Sequence, residues 1–600
     1  MSDIPDMRHI RNGRPIPSEG YADQPYVVQT DDGAWLCAMT TGTGHEGQPG
    51  QHVISVRSTD RGESWSEPVP VESADGPEAS YAVLLKATTG RVYCFYNHNT
   101  DRVTEVRRED GGVFKRVDSL GHYVFKYSDD HGRTWSERRW DVPVREFACD
   151  RENVYGGELR FFWNVGRPLI VEGAALLVLH KVGAMGEGFF ARSEGAIIRS
   201  DNILTEPDPD RIRFETLPDG DVGLRAPEGG GRVAEEQSVT VLSDGSLFCV
   251  YRTVDGSPAC AYSRDGGHTW SAPEYLTYTP GGRRVKHPRA ANFIWRLNDG
   301  HFLYWFHNHG GRAARERPGW NPYDDRNPVW LMAARETPAS DGLRLEFTQP
   351  EILLYDDDPR VRMSYPDLIE EPDGRLSVTE TQKAIGRVHD VPAEIVEGLL
   401  RQWEHAEVAS EGLLLALTDA PLPTSVPMPK LPEFTARDSS RADFGTKILR
   451  AGFTLDAWLR LDDLQPGQVL LDSRNATGEG IALITSERGT LELVMRDRWS
   501  ECRWDTDPGA VEAGADAHVV AIVDGGPSIV SFVVDGAFCD GGEHRQFGWG
   551  HFTPHLFDVT GGPDLRISPA VEALRVYDRA LRVSEAVGNY RAQAAVHTLR

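Results

Sequence analysis

Nowhere does this chain carry the run of about 18 apolar residues that a membrane-spanning helix needs. It is also short of positive charge: 64 Lys and Arg stand against 91 Asp and Glu, a formal net charge of −27. An acidic surface repels nucleic acid and anionic lipid, so neither is expected as a partner. Cysteine is scarce, with seven in 600 residues, at Cys37, Cys94, Cys149, Cys249, Cys260, Cys502 and Cys539. The number is odd and no Cys-x-x-Cys occurs, so the thiols read as reduced and mostly buried. His45-Glu46 lacks the second histidine of a His-Glu-x-x-His motif, which argues against zincin chemistry. No metal and no cofactor are expected. The opening residues, MSDIPDMRHIRNGRP, lack the apolar stretch of a secretory signal. The chain as written therefore reads as cytoplasmic, and as secreted if a signal has been removed. Its length exceeds one ordinary core, so two or more domains are expected.

What the chain does have is a repeated strand pattern. In the stretch Glu235 to Pro273, alternating residues Val239 to Leu242 reach a turn at Ser243-Asp244-Gly245, and Leu247 to Tyr251 return from it. That is a β-hairpin signature. A third strand, Ala259 to Tyr262, leads into Ser263-x-Asp265-x-Gly267-x-Thr269-Trp270. The Asp can accept backbone N–H groups of the turn, the Gly allows a positive φ, and the Trp can bury an apolar face. The motif recurs at Ser58-x-Asp60-x-Gly62-x-Ser64-Trp65 and at Ser128-x-Asp130-x-Gly132-x-Thr134-Trp135. Three copies at the ends of three-strand patterns indicate a repeat architecture. Their role is structural and not catalytic.

These are Asp boxes, and residues from about 20 to 420 resemble the sialidase (neuraminidase) superfamily. The resemblance implies an all-β, six-bladed β-propeller. Residues 1–20 form a leading arm. The first blade starts at Asp23-Gln24-Pro25, the second near Ser80-Tyr81 and the third at Phe161-Phe162-Trp163, closing on a degenerate box at Ser200-Asp201-Asn202. The fourth is the hairpin stretch above. The fifth runs from Arg289 through His301–His309 and Pro328–Arg335 to Gln349–Tyr355. The sixth starts at Tyr365-Pro366-Asp367, returns to Thr379-Glu380-Thr381 and ends in Gly412–Leu417. Ile395, Leu399, Leu400 and Trp403 have helical spacing and read as a helix packed on this propeller. The propeller is expected over 1–420, a proline-rich stiff linker over 421–432, and a second domain over 433–600. There the hairpin ending at Asp535-Gly536 and the closing Val576-Tyr577-Asp578-Arg579-Ala580-Leu581 resemble a laminin-G / concanavalin A-like jelly-roll sandwich, a type that often binds sugars.

In a propeller the inner strands and the ends of the second strands converge on one face. By the hairpin pattern this gathers Asp23, Gln24, Tyr81, His98, Trp163, His180, Glu236, Arg252, Arg289, His307, His309, Tyr365, Asp367 and Glu380, a set suited to a polar ligand. The sialidase resemblance implies a Tyr nucleophile activated by a Glu, an Asp acid/base and three arginines on a carboxylate. Tyr365 matches the Tyr, Glu236 the Glu and Arg252 the second Arg, and Arg326 stands as the third. The family has Arg-Ile-Pro where this chain has Asp23-Gln24-Pro25, and Arg14-Pro15-Ile16-Pro17 lies too far upstream to replace it. No Asp stands in the acid/base place; Gln51 and His52 are nearest, and His45 or His52 is the candidate.

Three functions remain open. The first is an exo-acting glycosidase of sialidase-like type removing a terminal, acidic sugar, with Tyr365 as nucleophile and Glu236 as its base. The second is a polysaccharide lyase on a uronate-containing glycan, favoured by the missing Arg and Asp and the several histidines. The third is a non-catalytic glycan-binding protein. All three make a carbohydrate the partner.

Overall fold

The computed structural model describes the chain except residues 1–5, 117, 119–120, 187–188, 312–324, 419–420, 439–444 and 598–600, and describes residues 595–597 by backbone only. The protein is all-β and divides into two compact units. One comprises Met1–Phe347 with Asp358–Ala393, the other Thr348–Asp357 with Glu394–Arg600. Among the described residues no helix is long and apolar enough to cross a membrane. The seven cysteines are free; Cys502 is half-buried and the others are buried.

Among the described residues the first unit contains six antiparallel sheets of four or five strands. In five of them the strands lie in chain order, as short hairpin connections dictate. The fourth sheet runs Glu235–Val241, Leu247–Arg252, Ala259–Ser263 and Glu274–Tyr275. Its first turn is closed by Gly245, whose N–H donates to the Leu242 carbonyl at 3.0 Å and whose φ is +82°. The sixth sheet departs from chain order. Leu368–Glu370, Leu376–Thr381 and Gly386–Asp390 are joined by Arg14–Ile16, in the register Arg14↔Val388. The leading arm is therefore a strand of the last sheet.

Apolar clusters fill the spaces between successive sheets. Leu36, Ala38 and Val53 of the first meet Leu84, Cys94 and Val124 of the second. Leu176, Ile197 and Leu217 of the third meet Leu247 of the fourth. Ile16, Ile369 and Val388 of the sixth meet Val27, Cys37 and Ile54 of the first.

The Asp boxes lock the turns at the outer ends. Asp265 Oδ1 accepts the Thr269 N–H at 2.9 Å and the Ser263 hydroxyl at 2.8 Å, and the Gly267 N–H donates to Ser263 Oγ at 2.8 Å. Asp60 and Asp130 make the same bonds. Gly62, Gly132 and Gly267 have φ of +81°, +82° and +98°, which an L side chain resists. Each box tryptophan is half-buried against the preceding sheet: the Trp135 indole N–H donates to Ser55 Oγ at 2.9 Å, and Trp270 joins the cluster of Leu217 and Ile197.

The second unit is built on two sheets. One follows the strands Leu413–Leu417, Val571–Tyr577, Phe453–Arg460, Asp516–Asp524 and Ile529–Val534; the other follows Ser425–Pro427, Asp564–Ile567, Val469–Asp472, Gly480–Thr485, Leu491–Arg496 and Glu501–Asp505. Leu455, Ala457, Val519 and Phe532 of the one share a core with Leu471, Ile481, Leu493 and Leu565 of the other. On the opposite face of Phe453–Arg460, Asp456 is buried between His518 at 3.2 Å, Arg575 at 3.1 Å and Asn589 at 2.6 Å.

Three local expectations differ from this arrangement. The helix, Ala393–Arg401, groups with the second unit apart from its first residue. Leu413–Leu417 pairs with Leu574–Tyr577 rather than ending the sixth sheet, which Arg14–Ile16 completes instead. A short leucine run fits either sheet, and only its partner decides. Residues 421–432, whose prolines read as a spacer, contain Ser425–Pro427, an outer strand of the six-stranded sheet. Proline is tolerated at such an edge, where one ladder is absent.

Asp265→Ala removes bonds that hold a turn. It is expected to cost about 1–2 kcal/mol of stability, read as a lower Tm with unchanged activity per folded molecule. Unchanged Tm with lost activity would place this motif in the functional machinery.

Candidate functional site

The inner strands start with a distortion. The pairing register shifts between Asp23 and Tyr26, between Ser80 and Val83, and between Glu235 and Ser238. At each shift a non-glycine residue takes a left-handed backbone: Gln24 at φ +55°, Tyr81 at +61° and Glu236 at +54°; Tyr365, at the start of the sixth sheet, has +49°. A bulge of this kind re-aims a side chain. Such conformations cost roughly 1–3 kcal/mol each and persist only where the surroundings enforce them. The same strain thus recurs at one structural position in four sheets.

Those side chains, with the ends of the second strands, make a buried polar network. Tyr365 Oη donates to Glu236 Oε1 at 2.7 Å. Glu236 Oε2 accepts from Arg252 Nη1 at 2.8 Å. Arg252 Nε lies 3.1 Å from Glu235 Oε2, whose other oxygen accepts from Arg289 Nη2 at 2.8 Å. Burial pushes the Glu236 carboxyl up, but the charge of Arg252 and the hydrogen bonds from Arg252 and Tyr365 outweigh it and hold it below the ordinary value. Burial, and then the charge of Glu236, push the Tyr365 phenol well above its ordinary value. At neutral pH the phenol keeps its proton and points it at an ionised carboxylate. Arg326 Nη1 donates to Ser364 Oγ at 2.6 Å. Its charge is opposed by burial and then by Arg252, so two guanidinium groups repel each other beside the pair. An anion placed between them relieves that repulsion.

The network continues across Tyr365. Lys383 Nζ lies 4.4 Å over its ring, 2.7 Å from Asp23 Oδ2 and 3.2 Å from Glu46 Oε2. Glu46 Oε1 is 3.1 Å from Arg116 Nη2. Burial raises the Glu46 carboxyl, but Lys383 and then Arg116 bring it down to about 2. Arg116 also holds Asp118, Nε to Oδ1 at 2.9 Å, and Asp118 accepts the Tyr81 hydroxyl as well. The Tyr81 ring stacks on Trp163 at 3.8 Å.

Residues 193–378 match the BNR repeat-like domain, and residues 126–137 the BNR/Asp-box repeat. Residues 437–586 match the concanavalin A-like lectin/glucanases superfamily. The chain thus joins a BNR repeat-like domain to a concanavalin A-like domain. Among solved structures, the intramolecular trans-sialidase from Ruminococcus gnavus is similar at 15% identity and a TM-score of 0.44, over 65% of this chain and 99% of that one. The Trypanosoma rangeli sialidase bound to 2,3-difluorosialic acid is similar at 14% identity and a TM-score of 0.42, over 98% of both chains. A Dyadobacter fermentans protein of unknown function is similar at 17% identity and a TM-score of 0.43, over 63% of this chain and 97% of that one. No curated protein matches the chain.

Of the residues singled out in the BNR-repeat domain, the structure gathers Tyr365, Glu236, Arg252, Arg326, Arg289 and Asp23 into this network. Gln24 is buried beside them, and neither amide atom has a hydrogen-bond partner among the described residues. Others are engaged elsewhere. Asp367 accepts the Val27 N–H at 2.8 Å and lies 2.9 Å from Arg167. Glu380 accepts from Gln382 at 2.6 Å and lies 3.1 Å from His389. His98 bonds Thr100 and Arg139, His307 lies 3.3 Å from the Pro328 carbonyl, and His309 donates to the Asp325 carbonyl at 2.7 Å. His52 Nε2 is 3.4 Å from Glu19, and the His45 side chain is exposed. Glu46, Lys383, Arg116, Asp118 and Glu235 were not singled out from the sequence. Glu46 adjoins His45, and Lys383 stands three residues beyond Glu380, so a longer reach past the second strand would have found the lysine. Arg116 and Asp118 come from a loop, where alternation gives no signal.

Among the described residues, four histidines of this domain, His98, His180, His287 and His307, are buried in their neutral form. Burial brings His180 down to about 4 and His287 down to about 3, from 6.5. Between these values the unfolded chain binds protons that the folded chain refuses, so stability falls as pH drops through that window. The unfolding midpoint in denaturant is expected to hold above about pH 6.5 and to decline from there to about pH 4. A midpoint that stays level across that interval would show that these imidazoles remain accessible to protons.

Proposed function

We propose that the protein is a carbohydrate-active enzyme, an exo-acting glycosidase of sialidase-like type that removes a terminal acidic sugar. The six sheets are then the blades of a closed propeller, with the network at its centre; the pairing of Arg14–Ile16 with the last sheet and the shared core of the sixth and first sheets support that closure. The observation that carries the functional reading is the Tyr365–Glu236–Arg252 relay, 2.7 Å and 2.8 Å between its polar atoms. A phenol that donates to an ionised carboxylate is a nucleophile with its base in place. Being neutral, it approaches the anomeric carbon of an anionic sugar without the repulsion a carboxylate would meet. As Tyr365 attacks, its proton passes to Glu236, and Lys383 above the ring favours the charge that develops on the phenol oxygen. Arg252 and Arg326 supply positive charge for the sugar carboxylate.

A lyase acting on a uronate is the second reading. It is favoured by Asp23, which is bonded to Lys383 where the family's first carboxylate-binding arginine is expected. There Tyr365 would move a proton at the sugar ring rather than form a bond to it. The concanavalin A-like domain accords with carbohydrate binding under either reading.

Tyr365→Phe deletes one oxygen and keeps the ring. Turnover of sialosides and uronides is expected to fall by about 10²-fold or more, with substrate affinity largely retained. Near wild-type turnover by the variant would remove Tyr365 from both mechanisms. Mass analysis of the wild-type products separates them, since hydrolysis adds water to the released sugar whereas elimination leaves an unsaturated uronate that absorbs in the ultraviolet. A wild-type protein that binds these glycans and cleaves none would make it a glycan-binding protein.

A further inference from the structure

A phenol nucleophile leaves one requirement unmet: the departing glycosidic oxygen needs a proton. Most carboxyls of the network are committed to cations. Glu236 is held by Arg252, Glu46 by Lys383 and Arg116, Asp23 by Lys383, and Asp118 by Arg116. Glu78 is different. It immediately precedes the inner strand Ala79–Lys86, three residues before the bulged Tyr81. It is 6% exposed, and neither carboxyl oxygen has a hydrogen-bond partner among the described residues. The Ser80 hydroxyl close to it is turned to the Asp118 carbonyl oxygen, at 3.3 Å. Burial, and then the charge of Asp118, push the Glu78 carboxyl well above the ordinary carboxylate range. A buried carboxyl that keeps its proton is how a site holds an acid ready at neutral pH. Asp118 is joined through Arg116 to Glu46, and Glu46 through Lys383 to the Tyr365 ring, so Glu78 adjoins the same network through its charge interaction with Asp118.

Resting on the glycosidase reading, we propose that Glu78 is the acid/base residue of this site. In the first half-reaction the bond from the anomeric carbon to the leaving oxygen breaks. That oxygen takes the Glu78 proton, Tyr365 Oη bonds to the carbon, and the phenol proton goes to Glu236. In the second, the Glu78 carboxylate takes a proton from water as the water oxygen bonds to the carbon. The bond to Tyr365 breaks, and Glu236 returns the proton to the phenol.

The test compares leaving groups on one acidic sugar, using nitrophenyl and methyl glycosides of a sialic acid and of a uronic acid. A nitrophenol departs without help, whereas methanol needs the proton. Glu78→Gln is expected to lower kcat/KM on the methyl glycoside by about 10²-fold or more and on the nitrophenyl glycoside far less. Added azide, which needs no base, is expected to restore turnover of the nitrophenyl glycoside and to yield the glycosyl azide. The alkaline limb of the kcat/KM profile should disappear with the carboxyl. Equal losses on both leaving groups without azide rescue, or full activity on the methyl glycoside, would overturn the assignment. Glu78→Asp keeps the question answerable if the amide disturbs folding: partial activity with the alkaline limb retained supports the acid, and loss of that limb refutes it. A wild-type protein inactive on every probe overturns the glycosidase reading and this assignment together; cleavage with an indifferent Glu78 overturns only the latter.

Discussion

The seam between the sixth and first sheets is the constraint on which the BNR-repeat domain depends. Residues more than three hundred positions apart meet there. The Ala22 N–H donates to the Lys383 carbonyl at 3.0 Å, the Val27 N–H to Asp367 at 2.8 Å, and the Thr379 hydroxyl to the Pro25 carbonyl at 2.7 Å. These bonds fix the first strand against the last sheet, and with it Asp23 against Lys383 and Lys383 over Tyr365. Asp367 and Glu380, whose spacing suggested substrate contacts, are occupied in or beside this seam. Buried carboxylates satisfied by backbone N–H groups and by histidine are what hold such a joint without an orphaned charge.

Electrostatics and backbone strain then act together. Four inner positions take a left-handed conformation at residues that do not favour it. The return is a set of acids and bases brought into contact where hydration is poor, so each charge strongly perturbs its neighbours. Acidic and basic groups alternate along the network from Arg289 to Asp118, interrupted only by the Tyr365 ring. That alternation lets so many ionised groups share one interior despite the cost of removing each from water.

Much of the fold was legible because it is repetitive. The three boxes, the Ser-Asp-Gly turn and the period-two strands give the same reading sheet after sheet, and the boxes bond as their residue types require. In the site, Tyr365, Glu236 and Arg252 were visible because each stands at a hairpin position where the repeat fixes the direction of the side chain. Glu46, Arg116 and Asp118 were not, because they arrive on loops whose paths no periodicity encodes. The strand at Arg14–Ile16 carries no sequence signal for a related reason: three residues are too few to show alternation, and their partner lies at the other end of the domain. Leu413–Leu417 shows the converse, a clear strand whose sheet could not be read from its own residues.

That outer strand also bears on how the protein is made. Arg14 pairs with Val388, so this strand cannot find its place until the sixth sheet has emerged. At about 5–20 residues per second the delay is on the order of 20–75 s. Throughout that time the first sheet lacks its sixth-sheet neighbour, and the apolar faces of Val27, Cys37 and Ile54 have nothing of the sixth sheet to cover them. Nascent-chain surveillance in the cell meets this domain as an unfinished series of hairpins, and its strongest claim on a chaperone falls before residue 388 is synthesised.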